Sequence, residues 1–135
     1  MYDGATSLVI ESSRQTALVL QDKGVLWRVN LLTGEKAIIS HLGSPLYGLA
    51  IEPSGASAII TKAGSPGALG FFGAYPSLLR VDLATGGITT LRHINGFGVA
   101  VEEGGKTALV ATRGPQQDMA CGGVCGAVWR VKLVP

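Results

Sequence analysis

Two histidines, three matched glutamate–arginine sets, one cysteine pair and one aromatic run are the groups in this 135-residue chain that could do chemistry. His41 and His93 head similar segments, His41-Leu42-Gly43-Ser44-Pro45-Leu46-Tyr47 and His93-Ile94-Asn95-Gly96-Phe97. Imidazoles in matched places can ring an opening and hold an anion or a metal. They can equally be structural groups that hydrogen-bond loop backbone, which is the favoured expectation. A catalytic metal normally takes about three protein ligands, and neither segment contains a carboxylate. No metal and no cofactor are therefore expected.

Glu11, Glu52 and Glu102 recur with Arg28, Arg80 and Arg130. A catalytic acid or base is usually a single perturbed group in a cleft. A carboxylate copied three times reads instead as structural, paired with its arginine or solvated, because an unpaired buried charge is costly. No catalytic residue is assigned.

Cys121 and Cys125 enclose Gly122-Gly123-Val124. A zinc ribbon needs a second pair, and redox Cys-x-x-Cys chemistry needs a shorter spacing. A short loop disulfide is possible if the Cα atoms come within about 7 Å; free thiols are equally compatible. Phe71, Phe72 and Tyr75 lie in a Gly- and Pro-rich stretch. They can anchor a ligand or partner, as loop aromatics often do, or fold back over the edge of the structure. The phosphate-loop, Gly-x-Ser-x-Gly and His-Glu-x-x-His motifs are absent from the sequence.

The elements that carry these groups come from internal repeats. Leu26-Trp27-Arg28-Val29-Asn30-Leu31 returns as Leu78-Leu79-Arg80-Val81-Asp82-Leu83 and as Val128-Trp129-Arg130-Val131-Lys132-Leu133, 52 and then 50 residues on. Tyr47-Gly48-Leu49-Ala50-Ile51-Glu52 matches Phe97-Gly98-Val99-Ala100-Val101-Glu102, with Ser7 to Glu11 as a weaker first copy. Thr16 to Leu20, Ser57 to Thr61 and Thr107 to Ala111 form a third series. Three motifs in one fixed order define the unit.

The segments are short, rich in Val, Ile, Leu and Thr, and bounded by Ser-Gly, Gly-Gly and Thr-Gly turns. They predict strands at 7–11, 16–21, 25–31 and 36–40, then 47–52, 57–62, 77–83 and 87–92, then 97–102, 107–112 and 127–133. Their apolar runs are nearly continuous, as expected of sheets covered on both faces. Four strands repeated about every 40 to 50 residues are the mark of a β-propeller blade. The expected fold is all-β: a propeller-like array of about three four-stranded antiparallel blades, near 5–46, 47–96 and 97–135, the last lacking its outer strand. The whole chain, 1–135, is expected to form one partial propeller domain. A β-sandwich or a small closed barrel does not explain the period.

The string Tyr47-Gly48-Leu49-Ala50-Ile51-Glu52-Pro53-Ser54-Gly55, followed by Leu79-Arg80-Val81-Asp82-Leu83-Ala84-Thr85-Gly86, resembles blades of NHL/gluconolactonase-like and YVTN-type propellers. The resemblance implies the blade type and says little of function. Such rings usually hold about six or seven blades. Gluconolactonase-like enzymes hold a metal among carboxylates and asparagine at the channel mouth. Here only Asn95 matches part of that set, so the metal is not carried over.

Short turns join the first strand to the second and the third to the fourth. Between the second and third strands the loop is long in two units, Ala63 to Ser77 and Arg113 to Ala127, and only a tight turn around Asp22-Lys23-Gly24 in the first. These loops and the segments after the fourth strands put His41, Tyr47, Phe71, Phe72, Tyr75, His93, Asn95 and Phe97 toward one side of a rigid scaffold. Ligands or partners usually bind on such a side. The net charge is +2 with no basic cluster, which argues against nucleic acid as partner. No apolar run reaches the roughly 18 residues of a membrane helix. The expected function is a non-catalytic binding or assembly module for a protein or small molecule. Three blades leave an open face at each end. The expected assembly is a homodimer in which blade three packs on blade one of the other copy, closing a six-bladed ring. The alternative is part of a larger propeller enzyme, lactonase- or lyase-like, whose site needs further blades.

Overall fold

A computed structural model describes residues 4–21, 23–43, 45–63, 76–113 and 126–133. Eleven strands make three antiparallel sheets. The first holds β1 (Ala5–Ile10), β2 (Thr16–Gln21), β3 (Val25–Asn30) and β4 (Lys36–His41) in that order. The second holds β5 (Leu46–Ile51), β6 (Ser57–Lys62), β7 (Ser77–Asp82) and β8 (Ile88–Arg92), and the third β9 (Gly96–Val101), β10 (Thr107–Arg113) and β11 (Gly126–Lys132). The expected all-β array is thus the observed one, with three strands in the last sheet among the described residues.

Local chemistry fixes where the strands stop. β3 and β7 end one residue earlier than expected, at Asn30 and Asp82. The Asn30 side-chain oxygen accepts the N–H groups of Leu32 and Thr33 at 2.9 and 3.0 Å, and Asp82 does the same for Ala84 and Thr85 at 2.8 and 3.0 Å. These Asx turns offer the backbone an alternative to the ladder.

The sheets pack face to face, with β1 beside β5 and β5 beside β9. Leu18, Leu20 and Leu26 of the first sheet meet Leu46, Leu49, Ile60, Leu79, Val81 and Leu83 of the second. Ile59 and Leu78, on the other side of the second sheet, meet Ala108, Val110, Val131 and Leu133 of the third. β6 and β7 of the middle sheet therefore send alternate side chains to opposite neighbours. This explains the continuous apolar runs. The inner strands come very close: a Cβ on Gly48 would run into the Phe97 carbonyl.

The two outermost faces repeat the same pattern uncovered. Leu49 is 9% exposed, but its counterpart Leu8 is 61% exposed. Leu83 and Leu133 are 5% and 3% exposed, while Leu31 is 49%. On the far face of the third sheet, Val128 is 69% exposed where Leu26 and Leu78 are fully buried.

Candidate functional site

The three sheets share one ladder irregularity. Each inner strand slips out of register near its start: between Ala5 and Ser7, between Leu46 and Leu49, and where Gly96 stands opposite Thr112 but Val99 opposite Val110. Such bulges re-aim side chains. Tyr47 and Phe97 are bulge residues, and the structure brings them together. Their rings lie 4.8 Å apart, tilted by 46°, within the range of favourable aromatic pairs. Tyr47 remains 39% exposed.

Behind this pair sits Thr61, fully buried. Its hydroxyl accepts the Gly48 N–H at 2.7 Å and donates to the Phe97 carbonyl at 2.7 Å, tying the second sheet to the third. Leu20 and Ala111 occupy the matching positions of the other repeats. A hydroxyl where the other copies are apolar is the sequence signal for this tie.

The two histidines occupy related places but have different neighbours. His41 ends β4 opposite Val25 and is exposed. His93 follows β8, with its Nδ1 3.4 Å from both the Ser77 hydroxyl and the Pro76 carbonyl. Each imidazole stands beside the third strand of its own sheet, so the two are not gathered into one ligand set. Asn95 is exposed between β8 and β9. Among the described residues no three His, Cys, Asp or Glu side chains cluster as a metal site. Phe71, Phe72, Tyr75, Cys121 and Cys125 lie outside the described residues.

The glutamate–arginine sets are bidentate pairs repeated in all three sheets. The Nε of the arginine reaches the carboxylate at 2.7 Å in Arg28–Glu11 and at 2.6 Å in both Arg80–Glu52 and Arg130–Glu102. Thr16, Ser57 and Thr107 each add a hydroxyl donor to the same carboxylate. The Arg28 bond holds the Glu11 carboxyl below its ordinary value, against the opposing effect of burial, with Thr16 adding to it. Arg130 and then Thr107 do the same for Glu102. Arg80 also donates to the Leu133 carbonyl at 2.8 Å, reaching across to the third sheet.

Only the described carboxylates are confined to one end of the sheets; Arg14, Arg28, Lys36, Arg80, Lys106, Arg130 and Lys132 share that end with them. Every described carboxylate (Glu11, Glu35, Glu52, Asp82, Glu102 and Glu103) lies at the end bearing the short turns. The end bearing the longer connections carries Lys23, His41, Lys62, Arg92 and His93. Lys62 is half-buried, with its ammonium lying over Gly43. None of the ion pairs between described residues includes Lys62, and residues 64–76 contain no carboxylate. Lys62 and the tilted Tyr47–Phe97 pair thus share this end, whose connections also contain Asp22 and Asp118 in the sequence.

No family model and no curated protein matches the chain. Solved structures do. Hydrazine synthase of Kuenenia stuttgartiensis superposes with a TM-score of 0.73 at 16% identity, over 96% of this chain and 33% of that one. TolB from Acinetobacter baumannii gives 0.70 at 14% identity, over 97% and 30%. Oligogalacturonate lyase from Vibrio parahaemolyticus gives 0.63 at 16% identity, over 85% and 35%. The chain thus spans about a third of each of these propeller proteins. Its three stacked antiparallel sheets are a propeller-like array, and at these identities the likeness is one of fold alone.

Proposed function

We propose that residues 1–135 act as one non-catalytic propeller module that binds an anionic partner or ligand at the end carrying the longer connections, and that two copies complete a six-bladed ring. One juxtaposition carries this reading: Lys62, half-buried and in no ion pair among the described residues, shares one end of the sheets with the Tyr47–Phe97 pair. A cation held partly out of water favours an anion beside it, and an exposed aromatic supplies flat apolar contact. The repeated glutamates are each engaged by an arginine and a hydroxyl, which supports a structural task for them. Within the propeller class, the resemblance of the strand motifs supports an NHL/gluconolactonase-like or YVTN-type blade.

Titration of isotope-labelled protein with benzoate, with benzamide as the neutral analogue, tests the binding end. Benzoate is expected to move the amide signals of Tyr47, Gly48, Lys62 and Phe97, and Lys62→Gln is expected to abolish that response. Equal shifts with benzamide, or shifts confined to the short-turn end, overturn it.

The partial coverage of oligogalacturonate lyase, 35% of its length, supports a second reading. In it these sheets belong to a larger propeller enzyme. A longer reading frame encoding further Leu-Arg-Val-Asp-Leu repeats with acidic channel residues would favour that reading over the ring of two copies.

A further inference from the structure

The two uncovered faces are copies of faces that already pack against each other inside this molecule. The outer face of the first sheet has a shallow hollow lined by Ala5, Val19, Gln21, Trp27, Val29 and Lys36. Repeat alignment matches Ala5, Val19, Trp27 and Val29 to Leu46, Ile60, Leu79 and Val81 of the second sheet. Those four share a buried core with Leu26 of the preceding sheet. Leu26 corresponds to Leu78, buried in the second core, and to Val128 of the third sheet, which is 69% exposed.

Resting on the proposed ring, we infer that Val128 of one copy fills the Trp27–Val29 hollow of the other. Leu8 and Leu31 are then covered by the far face of the partner's third sheet. The occupant is a second copy because the two surfaces are the unmatched halves of a contact this chain makes twice internally. In a two-fold assembly each copy presents both halves, so two identical seams close the ring. Arg130 has the position from which Arg80 reaches the Leu133 carbonyl, so its counterpart acceptor is the partner's Leu31 carbonyl. The rim of the hollow is already organised, since the Trp27 Nε1–H donates to the Gln21 side chain at 2.8 Å.

Complementation between two variants tests the seam. Leu8→Glu spoils the first-sheet face and Val128→Asp spoils the third-sheet face. Both side chains are mostly exposed in a single copy, so each variant should fold, as circular dichroism would verify. Light scattering should find the unmodified protein dimeric and each variant alone monomeric, because both of its seams contain one spoiled face. An equimolar mixture should recover association, because one seam then joins two unspoiled faces. If both variants stay dimeric, or the mixture remains monomeric, the proposed seam is wrong while the dimer stands. If the unmodified protein is monomeric, the ring itself is wrong.

Discussion

Replacing Thr61 with valine should weaken the fold more than replacing it with serine, although valine preserves the shape. The Thr61 hydroxyl has two 2.7 Å hydrogen bonds, from the Gly48 N–H and to the Phe97 carbonyl, in a fully buried position. A buried polar group deprived of its partner costs about 1–3 kcal/mol. Valine removes the hydroxyl from both groups and gains at most about 1 kcal/mol from its extra apolar surface. With two groups deprived, the net loss is about 1–5 kcal/mol. Serine keeps the hydroxyl and deletes only the methyl that packs toward Gly96, which costs about 1 kcal/mol. Urea unfolding at fixed protein concentration, followed by tryptophan fluorescence, gives both values. Valine at or above the stability of the parent, or serine costing more than valine, would refute the idea that this hydroxyl ties the second sheet to the third.

Other perturbations follow from the same structure. Arg14 is held at a φ of 61°, where the matching turns have Gly55 and Gly105 at 76° and 72°. Arg14→Gly should therefore raise stability by about 0.5–1 kcal/mol in thermal unfolding. Gly48→Ala should be strongly destabilising in the same assay, since its methyl meets the Phe97 carbonyl. The folded Glu11 carboxyl lies below its ordinary value of 4.5. Its contribution is thus present above that value and lost as pH falls through the folded value. Glu11→Gln should cost stability at neutral pH, and the difference should shrink as pH falls below 4.5 and through the lower folded value. Glu52→Gln should cost more than Glu102→Gln in a single copy, because the outer arginine of the Glu102 pair is 65% exposed against 28% for Arg80.

Much of the architecture was legible because the repeats align the strands with one another. The Leu-x-Arg-Val motif located β3, β7 and β11, and turn residues bounded them within one or two positions. The strand ends at Asn30 and Asp82 depend on side chains competing with the ladder, which apolar patterning does not register. Tyr47 and Phe97 were legible as matched residues. Their contact was not, because it depends on a bulge in each inner strand and on the close approach that Gly48 permits. Lys62 is not legible in the sequence for a different reason: its meaning lies in the groups around it, and those are assembled from separate strands. A structural task for Glu11, Glu52 and Glu102 followed from repetition, but their pairing with the arginines did not, since apolar patterning leaves a strand-end carboxylate free to pair or to stay solvated.

The mass of the unmodified protein in solution bears most directly on the proposed ring. Size-exclusion chromatography with light scattering at micromolar concentration should give twice the 13.9 kDa of one chain. A folded particle of 13.9 kDa, unchanged as concentration rises, would contradict a ring built from two copies.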